Sequence, residues 1–332
     1  VIALLRVELT RLRWRRAVVL LLLAAVVIPA LVLAATAWNT RPVSEAERRN
    51  AELTVEREAE QPYMQRQLKR CEAKPERWGA AGGGADEVEA ACAEAILPQA
   101  EWYLTRSPLD LVQEREEGSA IAVAVVLGAL MLLLGTTFVG HDWNSGSMSN
   151  QLLFEPRRAR VWLAKGLTVL AVTAGFAALV LAAYWTGLWA IASSRDLDLP
   201  DGTMTEAYQQ VLRGAALCGV AGLGGYALTM LFRSTVATLG VMFAVALAGA
   251  TLLGVLGVPT HHWVLPHNNA MAVLVDGIEF TVWERPGCDG GPRVPDRCVE
   301  RITAFGGAVY FAVITLAASA ASLASFGRRD VP

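Results

Sequence analysis

Six long stretches of this chain, 17–38, 119–140, 166–192, 214–232, 235–258 and 302–326, contain no Asp, Glu, Lys, Arg or His. Charged residues make up only 18% of the sequence, against about 25% in an ordinary soluble domain. A segment of roughly 20 uncharged apolar residues is long enough to cross a bilayer as a helix. The missing charge therefore excludes a soluble globular fold. It also weighs against a proton-coupled carrier or a voltage sensor, which set ionisable side chains inside the membrane. Sodium sites built from carbonyls and hydroxyls remain open.

Other chemistry is missing as well. No G-x-x-x-x-G-K-[ST] loop occurs, and the glycine run at Gly82–Gly84 lacks the Lys-Ser/Thr ending. ATP, if it is used, is expected to be bound elsewhere, in a separate polypeptide. No catalytic residue is assigned. His141 and Asp142 are adjacent, so they do not face one another on a helix, and no nucleophile motif accompanies them. There are five cysteines but no C-x-x-C pair, so no metal site is assigned. Cys71, Cys92, Cys288 and Cys298 lie between apolar stretches, and Cys218 lies within one. The first four fit two disulfides in an oxidising compartment. Of the three possible connectivities, Cys71–Cys92 with Cys288–Cys298 has the lowest loop-closure cost. His261, His262 and His267 read either as a metal cluster or as an interfacial group beside Trp263. No nucleic-acid partner is expected.

What is present is a strong charge asymmetry. Residues 1–16 read as an amphipathic interfacial helix, with Ile2, Leu5, Leu9 and Leu12 on one face and five arginines on the others. Pro29 is expected to bend the first span, which Trp14 and Trp38 bracket. The loop 141–165 carries Arg157, Arg158, Arg160 and Lys165, which are expected to face lipid headgroups. Together with Arg233, Arg328 and Arg329, these segments hold 12 basic and 4 acidic residues, whereas the remainder holds 17 and 27. The positive-inside rule then puts both termini in the cytoplasm. The expected fold is all-α and integral to the membrane. It has six transmembrane helices, the amphipathic N-terminal helix and a small, mostly helical extracytoplasmic domain at 39–118.

Within that domain Ser44 and Glu47 form a capping-box pattern opening a helix through Glu60, and a second helix is expected over Asp86–Ala95. Mixed charge of this kind suits solvent-facing helices without any binding role. The segment 259–301 is expected to hold a short interfacial or re-entrant helix, and CDGGPRVPDRC to form a stapled hairpin. In the fourth span Gly214, Cys218 and Gly222 recur every four residues, as do Ala221 and Gly225, a spacing that lets helices approach closely. Thr136, Thr137, Thr173, Tyr184, Tyr226, Thr229 and Tyr310 either line a path or pack with their hydroxyls on backbone carbonyls.

The loop after the second span reads as a short helix with Ser147 as N-cap, and Pro156 stopping it. Met148, Gln151, Leu152 and Glu155 would share a face that needs a partner to cover it.

This loop resembles that of permease subunits of ATP-binding-cassette (ABC) transporters of the type-2 class. The resemblance is carried by Asp142, Gly146 with Ser147, Leu152 with Leu153, Pro156, Arg157 with Arg158, and Lys165. It covers about 25 residues by motif and the whole chain by layout. It departs from the pattern in having Asp where Glu is usual, in the polar run Ser149–Gln151, and in a longer first external loop that bears cysteines. The resemblance implies that Asp142, Gly146, Ser147, Met148, Gln151, Leu152, Leu153, Phe154 and Glu155 couple to an ABC ATPase subunit. It further implies a second permease subunit, with ATP and Mg held by the ATPase and no cofactor in this chain. The uncharged spans then favour export of an amphipathic or lipid-like compound. A non-transporting membrane scaffold or sensor with a ligand-binding external domain is the alternative. Richness in Ala, Arg and Gly, with Val1 read as an alternative start and no cleavable signal peptide evident, fits a bacterial plasma membrane.

Overall fold

The computed structural model describes residues 2–78, 84–104, 106, 108–255, 264–282, 288 and 298–330. Two compact units emerge, Ala35–Leu109 and the rest of the chain.

The larger unit begins with α1 (Ile2–Arg13) and the start of α2 (Arg16–Asn39). In the smaller unit follow α3 (Glu45–Ala59), α4 (Pro62–Ala73) and α5 (Ala85–Ile96). The larger unit resumes with α6 (Leu111–Glu116), α7 (Ser119–Asn144), α8 (Ser147–Phe154) and α9 (Arg158–Ser194). It closes with α10 (Thr203–Phe232), α11 (Thr235–Val255), α12 (Pro266–Leu274), strands β1 (Ile278–Thr281) and β2 (Val299–Ile302), and α13 (Ala304–Arg328).

Among the described residues, five helical segments are long and apolar enough to cross a membrane: Arg16–Asn39, Leu111–Asn144, Arg158–Ser194, Thr203–Phe232 and Ala304–Arg328. The protein is therefore a multi-pass membrane protein. The remaining expected span coincides with α11, of which Thr235–Val245 counts as a shorter apolar helix. Two of the helices outrun the apolar stretches that announced them. α9 starts at Arg158 rather than Gly166, and α10 at Thr203 rather than Gly214. Hydropathy sees only the apolar part of a helix, while its polar turns are held by contacts with other elements. α2 runs helically through Pro29.

α10 lies at the centre, against α7, α9 and α13. The small residues of α10 make this possible. A Cβ on Gly222 would sit 2.7 Å from the Thr173 side chain of α9, and one on Gly214 would sit 2.9 Å from Leu181. Gly225 faces the other way, where a Cβ would lie 2.5 Å from the Leu132 carbonyl oxygen of α7. On α7, a Cβ at Gly135 would run into the Gly222 carbonyl. The spacing in the fourth span thus marks two seams, one to each neighbour. The hydroxyls of Thr136, Thr137 and Thr173 donate to carbonyls three or four residues back in their own helices. The Tyr226 hydroxyl donates to the Trp162 carbonyl at 2.8 Å. These groups are packing elements whose polar atoms are satisfied locally.

The fold is predominantly helical, with one short hairpin among the described residues: β1 and β2 pair antiparallel, with Ile278 opposite Ile302 and Thr281 opposite Val299. Asp276 at φ 69° and Gly277 at φ 116° turn the chain from α12 into β1, a conformation that glycine tolerates best. α12 is buried against α13, where a Cβ on Gly307 would lie 2.5 Å from the Asn269 carbonyl. At nine residues it is about 13 Å long and cannot span a bilayer. Cys288 is bonded to Cys298, while the tip of the expected hairpin, 289–297, lies outside the described residues. So do His261, His262 and Trp263; His267 is exposed.

In the smaller unit, Cys71 of α4 is bonded to Cys92 of α5. The bond sits in a core with Ile96, and with Met64, Leu68, Val88 and Ala91 packed on it. The capping box is formed: the Ser44 hydroxyl accepts from the Glu47 amide at 3.3 Å, and the Ser44 amide donates to the Glu47 carboxylate at 3.0 Å. The Ser44 amide, and after it the Ser44 hydroxyl donating at 2.9 Å, hold the Glu47 carboxyl below its usual value. α4 gives little sequence signal because its apolar positions are sparse; Pro62 sets its first turn.

Gly135→Ala and Gly225→Ala each press a methyl into a backbone carbonyl that has nowhere to go. Overpacking of this kind costs about 1–3 kcal/mol. Both variants are expected to lower the thermal midpoint of the detergent-purified protein. Gly128→Ala and Gly175→Ala, where a Cβ meets nothing within 4 Å, are expected to leave it unchanged or slightly raised.

Candidate functional site

The loop between α7 and α9 is tied into the larger unit by a dense set of polar contacts. α7 ends at Asn144, and Gly146 adopts φ 69° as the residue preceding α8. A left-handed residue here lets the chain reverse within two positions, and glycine does so without a Cβ clash. Gly146, not Ser147, is the N-cap. Ser147 lies one position inside the helix, and its hydroxyl donates to Asp142 Oδ1 at 2.6 Å.

Asp142 is one of three fully buried ionic groups at this end of the bundle, with Glu8 of α1 and Lys165 of α9. The Lys165 ammonium donates to Glu8 Oε2 at 2.7 Å and to Asp142 Oδ2 at 2.7 Å. Arg15 donates to Asp142 and to the Phe138 carbonyl, with its guanidinium 4.7 Å from the Phe138 ring centroid. Gln151 of α8 donates to Glu8 Oε1 at 2.6 Å and accepts from Arg11 at 3.1 Å. The cluster balances two carboxylates against one ammonium and one guanidinium, with Arg11 at its rim. Each carboxylate oxygen of the pair has at least one donor, which is what buried charge requires.

This geometry revises several sequence expectations. Lys165 does not face lipid; it is fully buried as the hub of the cluster. Asp142, Met148 and Gln151 are buried too, within this chain's own packing. The face of α8 carrying Met148, Gln151, Leu152 and Glu155 turns inward, the last two half-buried. What α8 leaves outside is Leu153, 80% exposed, and Phe154, 90% exposed. In α1 the inward face is that of Glu8 and Leu12, while Leu9 is half-exposed. An apolar periodicity count skips Glu8, because its burial depends on a lysine 157 residues away. Arg157 and Arg160 are exposed. Arg158 is turned to the end of α13, where it donates to the carbonyls of Phe326 at 3.0 Å and Arg329 at 2.7 Å.

The arrangement ties α1, α7, α8 and α9 into one body. α8 is thereby presented rigidly, with two large apolar side chains pointing away from the fold. Among the described residues, no group of three or more His, Cys, Asp or Glu is gathered so as to hold a metal ion.

No family model, curated protein or solved structure matches this chain.

Lys165→Met leaves Glu8 and Asp142 buried side by side with one cation lost. Breaking a buried ion pair costs about 3–5 kcal/mol, so a marked fall in the thermal midpoint is expected. Glu8→Gln added to Lys165→Met removes the orphaned charge and keeps the Arg15–Asp142 pair. The double variant is expected to be more stable than Lys165→Met alone, by about 0.5–3 kcal/mol of coupling. Strict additivity of the two changes in thermal unfolding would show that the cluster is not coupled.

Proposed function

We propose that this protein is the membrane-spanning permease subunit of a type-2 ABC transporter, exporting an amphipathic or lipid-like compound. The observation that carries this reading is the exposed Leu153–Phe154 pair on a short helix anchored from behind by buried charge. A coupling element must transmit force in both directions, so it needs an apolar contact for a partner and a stiff attachment to the spans. α8 has both. In this reading Leu153 and Phe154 seat in a groove of a separate ATPase subunit, which binds ATP and Mg. Nucleotide-driven movement of that groove then displaces α1, α7 and α9 together through the cluster of Glu8, Asp142 and Lys165.

The reading includes α11 as the sixth span, the end bearing α1 and α8 in the cytoplasm, and the unit Ala35–Leu109 outside. The charge asymmetry supports this orientation, and the two disulfides belong in an oxidising compartment. A second permease subunit would complete the transport path. The plasma membrane of a bacterium is the proposed location.

The test is a double variant, Leu153→Asp with Phe154→Asp. Both side chains lie outside the folded core, so the protein is expected to insert and to keep its thermal midpoint. Burying one such side chain against a partner contributes roughly 1.5–3 kcal/mol, and placing a carboxylate in that contact is costlier still. The variant is expected to lose co-purification with its ATPase from native membranes, or to retain it without coupled hydrolysis. Wild-type protein that brings down no ATPase, or a variant with unchanged association and rate, overturns the reading. The first result would favour the scaffold or sensor alternative.

A further inference from the structure

The same end of the larger unit carries a second polar cluster, separate from the one around Lys165. Four helix ends meet there: Trp143 on α7, Arg158 on α9, Arg233 after α10, and Phe326 on α13 with Arg329 just after it. Arg158 and Arg233 hold consecutive carbonyls of the same segment. Arg158 donates to the Arg329 carbonyl at 2.7 Å, and Arg233 Nη1 donates to the Asp330 carbonyl at 2.7 Å. Two guanidiniums are thus drawn to one point by neutral acceptors. Neither has an ion-paired carboxylate among the described residues, and Asp330 acts on Arg233 only through space. Burial first, then Arg329 and Arg158, press the Arg233 guanidinium below its ordinary value.

Two donors in this cluster are unused. Arg233 Nη2 and Trp143 Nε1 are both buried without a hydrogen-bond partner. They belong to groups in direct contact, because the Arg233 guanidinium lies 4.8 Å from the Trp143 ring centroid. The indole also packs against Phe326, edge-on at 6.1 Å. Arg233 itself is held in place by a left-handed backbone, φ 56°, that ends α10. Buried donors without partners are costly, and clustered cations repel. Both costs fall if an anion with several acceptor oxygens reaches the two donors. Basic pockets between transmembrane helices at a membrane surface hold phosphate-bearing headgroups in this way.

We propose that Arg233 and Trp143, backed by Arg158, form a binding site for a phosphate group, of the kind carried by an anionic phospholipid headgroup. The guanidinium supplies charge and a donor, and the indole supplies a second donor at a fixed angle. The site is independent of the transport reading, since it involves neither α8 nor a partner protein.

The experiment compares the full chain in nanodiscs of phosphatidylcholine alone and of phosphatidylcholine with phosphatidylglycerol. A higher thermal midpoint in the anionic discs is expected, on the order of 3 °C or more. Arg233→Gln is expected to abolish that difference. Trp143→Phe keeps the ring contacts, loses only the N–H, and is expected to reduce it. A parallel titration of detergent-solubilised protein with inorganic phosphate separates the two sources of the group. A rise with phosphate that Arg233→Gln removes assigns a soluble phosphate to the site; a rise only in anionic discs assigns the lipid. Equal midpoints in both discs with no response to phosphate overturn the proposal. So does an unaltered response in both Arg233→Gln and Trp143→Phe.

Discussion

Burial of the Lys165 ammonium between Glu8 and Asp142 is the constraint on which this end of the protein depends. Each of the three charges comes from a different helix, so none can leave water until all three elements are in place. The cluster therefore links burial of α1 to the correct meeting of α7 and α9. Gln151 and Ser147 extend the same requirement to α8, since each donates to one of the carboxylates. A surface ion pair would impose no such condition, because water stands in for a missing partner.

Within the apolar spans, the bundle is held by close approach instead of charge. Lipid tails are as apolar as the side chains they would replace, so packing and not hydrophobic transfer brings helices together in a membrane. Glycines on α10 allow its backbone to approach α7 and α9 to a distance that a single methyl would prevent. The hydroxyls of Thr136, Thr137 and Thr173 alongside are satisfied within their own helices and ask nothing of their neighbours. The result is a rigid apolar frame that carries a charged assembly at one end. In the proposed transporter this division of labour lets a push on α8 move several helices at once.

The apolar runs announced five of the membrane-crossing helices to within a few residues wherever polar turns did not extend them. The cysteine pairing followed from loop length, and the α3 cap from Ser44 and Glu47. The site was legible only as a region. Asp142, Gly146 and Lys165 were singled out by motif, but their surroundings were misjudged. Glu8 was passed over because an acidic residue in a basic amphipathic helix reads as solvated. Trp143 and Arg233 gave no signal, since nothing local ties a tryptophan at one helix end to an arginine some 90 positions later.

By itself, then, the sequence determined that this is a multi-pass membrane protein, where most of its helices run, and which helix carries the small-residue seams. These properties depend on composition and on spacings of a few residues, which any window along the chain can register. Tertiary structure alone decided that Lys165 is buried rather than lipid-facing, that α8 turns Gln151 inward and Phe154 outward, and that Glu8 belongs to the core. A charge is stable inside a protein only if its counter-charge is there too, and that pairing is a property of distance in space, which sequence separation does not encode.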